Sequence, residues 1–208
     1  MQIFLLGESR HLLAVAFMLV ALCTGCVSRS WADEASLSIK VLVTYHSLSG
    51  NTERMAEAVA AGAKSAPATQ VILKRVAHVT ADELLSADAV VVGSPVYWSN
   101  MSGEVKTFFD NWQFKFGVFP EFKMKNKVGA AFATGGQISS GTEMTMLTIL
   151  AAMLGNQMIV VSGGGAFGAS ATTEGESPGI DKTELAEAKA LGVRVAEVTR
   201  LIKAATLR

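Results

Sequence analysis

Apolar residues follow two alternating rhythms along this chain: short runs rich in Val, Ile and Ala, then longer stretches with one apolar face at helical spacing. Ile39 to Val43 reads as a strand buried on both faces, and Met55, Ala56, Val59 and Ala60 fall on one side of a following helix. Gln70 to Val76 predicts a second strand and Ala81 to Ala87 a short helix. Ala89 to Pro95 predicts a third strand, stopped by Gly93 and Pro95, and Ser102 to Trp112 a helix with Val105, Phe108 and Phe109 inward. Val128 to Thr134 and Met158 to Val161 complete five strands. Helices are expected over Glu143 to Leu154 and Lys182 to Ala205. Strands that alternate with helices imply an α/β domain, a parallel sheet covered on both faces by right-handed crossovers. Gly163-Gly-Gly165 opens a Gly/Ser/Thr-rich connection running to about Gly179, long enough to suggest a functional loop.

The N-terminus follows a different pattern. Leu12 to Val27 is an almost unbroken apolar run after Arg10 and His11, the layout of a secretory signal and somewhat short for a membrane span. Two processing points fit. Ser30-Trp-Ala32 has small residues where signal peptidase prefers them; alternatively, Gly25-Cys26 resembles a lipoprotein signal with Cys26 as first mature residue. Cleavage after Ala32 is favoured, because Cys23 stands where a lipoprotein signal usually has an aliphatic residue. The expected organisation is a signal over 1–32, a short linker over 33–38 and one domain over 39–208, exported to the periplasm or another extracytoplasmic space. Membrane attachment is expected only through that first segment.

Composition narrows the chemistry. Both cysteines, Cys23 and Cys26, lie in the leader, so a disulfide, an iron–sulfur centre and a cysteine nucleophile are excluded from residues 33–208. Of 18 basic and 18 acidic residues, the leader holds Arg10, Arg29 and Glu8, which leaves 16 and 17 and a net charge of −1. That balance does not suit a nucleic-acid binder. His46 and His78 are not spaced with other ligands for a metal, and no nucleophile elbow or paired carboxylates appear. No catalytic side chain is assigned.

In a doubly wound sheet, ligands bind beyond the carboxyl ends of the strands. Three loops there carry unusual residues. Ser47-Leu-Ser-Gly-Asn-Thr52 joins the first strand to the first helix with hydroxyls and free N–H groups, which can surround an anion at the positive end of a helix. It lacks the Gly-Lys-Ser/Thr of a triphosphate loop and the spacing of a dinucleotide fingerprint, so a monophosphate fits better. Taken alone, the same residues also serve as ordinary caps and turns. Ser94-Pro-Val-Tyr-Trp-Ser-Asn-Met101 sets two aromatic rings beside polar backbone, and Thr134-Gly-Gly-Gln-Ile-Ser-Ser-Gly141 offers N–H groups with little bulk. Together they suit a flat heteroaromatic phosphate ester.

With these motifs, and with Glu-Arg-Met-Ala-Glu-Ala after Thr52, Gly-Glu-Val-Lys-Thr-Phe-Phe-Asp after Ser102, and Phe167-Gly-Ala-Ser170, the chain resembles the flavodoxin-like superfamily. It is most similar to the WrbA-type NAD(P)H:quinone oxidoreductases over about residues 39–205. The resemblance implies a flavodoxin-like three-layer sandwich with five parallel strands in the order 2-1-3-4-5, and FMN as cofactor. It matches Ser47, Ser49, Gly50, Asn51 and Thr52 to the phosphate loop. Pro95, Val96, Tyr97, Trp98 and Asn100 match the loop beside the flavin ring, and Thr134, Gly135, Gly136 and Gln137 the third flavin-contacting loop. NAD(P)H as donor, a quinone or similar acceptor and a homo-oligomer, dimer or tetramer, are implied likewise. Two readings compete with the enzyme: a flavodoxin-type electron carrier and a flavin-free interaction protein of the same fold. The chain departs from the family pattern at Gly155-Asn-Gln-Met158, where the relatives carry His-His-Gly-Met.

Several residues have plainer readings. Phe108, Phe109, Trp112, Phe114 and Phe116 are spaced for core or subunit packing, and Trp98 could be a plug or a subunit contact. His46 is expected at the surface or satisfied by neighbours. Lys115, Lys123, Lys125 and Lys127 are expected on a solvated face.

Overall fold

The computed structural model describes residues 37–174 and 179–206. The leader, its processing points and most of the linker lie outside them. Within them the chain forms β1 (Ile39–Tyr45), α1 (Asn51–Lys64), β2 (Thr69–Arg75), a 3-10 turn (Val76–His78), α2 (Ala81–Ser86), β3 (Ala89–Tyr97), β4 (Asn100–Met101), α3 (Gly103–Phe114), β5 (Val128–Gly135), α4 (Thr142–Gly155), β6 (Ile159–Val160), β7 (Ala169–Thr172) and α5 (Lys182–Thr206). The main sheet runs β2-β1-β3-β5-β6, all parallel, which is the expected doubly wound order.

Strands buried on both faces send alternate residues to opposite layers. Val41 and Val43 of β1, Val91 of β3 and Phe132 of β5 pack with Met55, Val59, Leu191 and Val195 beneath α1 and α5. Leu42, Val90, Val92 and Ala131 pack on the other face with Leu84, Phe108, Trp112, Ile149 and Met153. The two helices of the first layer approach closely through reciprocal glycines. A Cβ at Gly62 would lie 2.0 Å from the Lys189 carbonyl oxygen, and one at Gly192 equally close to that of Val59. These contacts hold the C-terminal half of α1 against α5, and so fix the direction in which the helix leaves the first of the three loops.

Two strand ends differ from expectation. β3 does not stop at Pro95: it continues to Tyr97, turns at Trp98 and Ser99 (φ 51° and 59°), and returns as β4 antiparallel to itself. Ser94 Oγ secures this return by accepting the Ser102 N–H at 2.9 Å while donating to the Pro95 carbonyl at 2.8 Å. Pro costs the strand one donor, and at a strand end that loss is tolerated. The fifth strand is split. β6 pairs with Val128 and Gly129 at the start of β5, and after an excursion β7 pairs with Phe132 to Gly135 at its end. Ala-Ser-Ala-Thr has weak strand propensity, so pairing with β5, together with burial of Ala169 and Ala171, defines β7.

Phe108, Phe109 and Trp112 are core residues, whereas Phe114 is exposed. Lys115, Lys123 and Lys125 are exposed as expected; Lys127 is not part of that face. Its ammonium donates to the Leu85 and Ala87 carbonyls at 2.5 and 2.8 Å, and burial lowers its pKa from the usual lysine range. The carbonyls left over at the end of the short helix α2 explain why a cation is drawn inward.

Candidate functional site

Three connections meet at the carboxyl edge of the sheet, because β1, β3 and β5 are adjacent and end at the same level. The first runs from His46 to Gly50, which takes φ 90° as the residue before α1. Ser47 Oγ accepts the Gly50 N–H at 3.1 Å and closes the loop on itself. Asn51 Nδ2 donates to Ser49 Oγ at 3.1 Å, and Thr52 is buried in the first helical turn. With a left-handed residue before it, the helix starts abruptly, and the Arg54 N–H closes its first turn on the Gly50 carbonyl.

The third connection is joined directly to the first. Thr134 Oγ1, at the end of β5, lies 2.8 Å from Thr52 Oγ1, and both side chains are buried. The second connection packs against the third at Gly141, which takes φ 106° before α4; a Cβ there would stand 2.7 Å from Ser99 Cα. Asn100 Oδ1 is held too, accepting the Met101 N–H at 2.7 Å and the Thr148 hydroxyl at 2.9 Å. The matched residues of all three loops thus share one rim. The backbone at Gly50 and Gly136 is open: a Cβ at either would meet nothing within 4 Å.

Each loop also carries an exposed large apolar side chain. Leu48 is 80% exposed, Trp98 101% and Ile138 73%. Leu48 and Ile138 were not singled out from the sequence, since a lone aliphatic residue in a polar loop gives no periodic signal. Tyr97 is partly exposed and meets the His46 ring edge-on at 6.0 Å. His46 is buried rather than at the surface, its Nδ1 3.4 Å from Glu104 Oε2 and its backbone N–H donating to the Gly93 carbonyl.

The sequence and the fold have known counterparts. A family model described as NADPH-dependent FMN reductase matches residues 74–173. A relative from Geotalea daltonii named NAD(P)H dehydrogenase (quinone) is 32% identical, over 77% of this chain and 96% of that protein. The chain belongs to the NAD(P)H dehydrogenase (quinone) family. A protein from Clostridium saccharobutylicum named flavodoxin is 31% identical, over 79% of this chain and 99% of its own. The crystal structure of a flavodoxin, WrbA-like protein from Agrobacterium tumefaciens superposes with a TM-score of 0.66 at 27% identity. It covers 79% of this chain and 99% of that one, and the fold is flavodoxin-like.

The departure at Gly155 to Met158 has a definite place in the fold. Gly155 to Met158 enters β6, and β6 pairs with the first residues of β5. The three loops lie at the other end of β5. A histidine missing at Asn156 therefore removes nothing from the rim that this chain builds by itself. Among the described residues no cluster of His, Cys, Asp or Glu could hold a metal, and no helix is long and apolar enough to cross a membrane.

Proposed function

We propose that this chain is an FMN-dependent oxidoreductase passing electrons from NAD(P)H to a quinone or a related small acceptor. The observation that carries the reading is the common rim of the three loops, tied by the Thr52–Thr134 contact and edged by Leu48, Trp98 and Ile138. Large apolar side chains exposed on each of three connections that meet at one sheet edge suit a ligand surface. The residues present fit FMN. Ser49, Asn51, Thr52 and the N–H groups at the start of α1 suit a phosphate held by neutral donors. Gly135, Gly136 and Gln137 offer backbone and amide groups to a polar ring edge, and Tyr97 and Trp98 offer stacking faces.

When bound, FMN supplies the two-electron chemistry that these side chains lack. The chain's own contribution is position. The hydroxyl pair holds the phosphate loop against the third loop, and the hairpin at Trp98 and Ser99 sets an aromatic wall beside the ring site. Its open outer side leaves room for a donor or acceptor to approach.

The purified protein is mixed with FMN and its visible spectrum recorded, then NADH or NADPH and a benzoquinone are added. Micromolar FMN binding with steady-state quinone reduction supports the enzyme. Binding with reduction only by a protein donor favours the carrier reading, which the similarity to a flavodoxin motivates. Absence of FMN binding removes both. The near-neutral charge argues against a carrier, since carriers of this fold dock through strong acidic fields. Export belongs to the same proposal, resting on the apolar run Leu12 to Val27. Mass analysis of the N-terminus of protein from its host decides between Ala32 and Cys26 processing, and sedimentation tests the expected homo-oligomer.

A further inference from the structure

The phosphate loop contains no cation, yet its helix begins with a carboxylate. Glu53 stands in the first turn of α1, directly after Asn51 and Thr52, where an unneutralised negative charge would oppose an incoming phosphate. Both of its oxygens are engaged away from the loop. Tyr45 OH donates to Oε1 at 2.5 Å, and Arg75 Nη2 donates to Oε2 at 2.7 Å. The other arm of the guanidinium, Nη1, donates to the Ser47 carbonyl at 2.5 Å. Tyr45 and Arg75 end the paired strands β1 and β2 in register, and the guanidinium lies over the Tyr45 ring, 5.5 Å from its centroid.

These contacts form a closed frame behind the loop, built from three elements. Each contact has a consequence for an anion in front of it. The bond to Ser47 ties up that carbonyl, fixing the backbone at the start of the loop while Ser47 Oγ holds the Gly50 N–H. The ion pair cancels the charge of Glu53 while leaving the helix macrodipole to act on the ligand. Lys could supply the charge, but only a planar fork reaches a carboxylate and a carbonyl together.

We propose that Arg75 is a positioning residue that masks Glu53 and orients Ser47, and that it sets selectivity for a phosphorylated flavin over riboflavin. This inference rests on the FMN reading and adds a residue that touches neither ring nor phosphate. Its signature is a difference between two ligands that share a ring and a ribityl chain and differ in the phosphate.

Dissociation constants for FMN and riboflavin are measured by flavin fluorescence in the wild type and in Arg75→Met, Glu53→Gln and the double variant. Arg75→Met is expected to weaken FMN by about tenfold or more, with riboflavin changed by less than about threefold, because the uncovered carboxylate repels only the phosphate. Glu53→Gln in the same chain is expected to restore most of that loss. Arg75→Gln keeps a donor to Ser47 without the charge, and serves if the methionine variant does not fold; it too should lose FMN selectively. Equal losses of FMN and riboflavin, FMN binding unchanged in either arginine variant, or no rescue by Glu53→Gln would each overturn the inference while leaving the FMN reading intact. A wild type that binds riboflavin and FMN equally well overturns it also. A wild type that binds neither removes the proposed function, and this inference with it.

Discussion

Thr52 and Thr134 are 82 positions apart in sequence, yet their hydroxyl oxygens lie 2.8 Å apart in a buried contact. One belongs to the first turn of α1 and the other to the end of β5, so a single hydrogen bond fixes the spacing between the proposed phosphate loop and the third loop. Replacing Thr134 by Val keeps the shape and leaves the Thr52 hydroxyl buried without its partner. A loss of about 1–2 kcal/mol in urea unfolding is expected, together with weaker FMN binding. The double Val variant is expected to recover stability but not affinity; recovery of both would show that the pair is purely structural.

Trp98 separates stability from binding. Its side chain is fully exposed at the tip of the β3–β4 turn and supports no part of the core. Trp98→Ala is expected to shift unfolding free energy by no more than about 0.5 kcal/mol. Loss of a stacking contact worth about 1 kcal/mol predicts roughly fivefold weaker flavin or acceptor binding. Unchanged flavin affinity and unchanged KM for the quinone would remove Trp98 from the site.

The charge of the loop gives a direct test of where the phosphate lies. Ser49→Asp combined with Thr52→Asp places two carboxylates among the donors at the start of α1. FMN is expected to be expelled by repulsion, seen as flavin lost on gel filtration, with riboflavin less affected. Retention of FMN would place its phosphate elsewhere.

Tyr45 makes stability depend on alkaline pH. Burial, the hydrogen bond to Glu53 and the Glu53 charge push its pKa up to about 12 from an ordinary 10, so the folded state favours the neutral phenol. The sign follows from linkage: its contribution is fully present below pH 10 and is lost as pH rises from about 10 to about 12. A two-unit shift corresponds to at most about 3 kcal/mol, lowered by solvent screening because the Glu53–Arg75 pair is partly exposed. Urea midpoints taken across that window should fall more steeply in the wild type than in Tyr45→Phe; parallel curves would refute the assignment.

The approach of α1 and α5 predicts a large cost for one methyl group. A Cβ at Gly192 would stand 2.0 Å from the Val59 carbonyl oxygen and 2.7 Å from the Ala63 nitrogen, both backbone atoms that cannot rotate away. Gly192→Ala is expected to destabilise by about 1–3 kcal/mol or more, read as a lower Tm by circular dichroism. Flavin affinity should fall as well if the loop before α1 holds the phosphate as proposed.

Much of this molecule was legible in its pattern of apolar residues. Continuous Val-rich apolar runs such as Val41 to Val43 and Val90 to Val92 announce strands buried on both faces, because a parallel sheet hides both sides from water. Helical spacing of Met55, Ala56 and Val59 likewise announces the face that covers them. The three loops were legible for the same reason, since hydroxyls, glycines and aromatic residues interrupt these runs where the chain must turn. What tertiary structure alone decided are relationships that no local pattern encodes. β7 exists only because β5 offers it an edge, and Lys127 turns inward only because α2 leaves two carbonyls for it. Arg75 looks like the polar end of a strand until register places it beside Tyr45 and behind Ser47. Sequence determines which residues are buried or turn, because those properties depend on near neighbours. Which charges meet, and which loops share a rim, depends on the order in which distant strands are laid side by side.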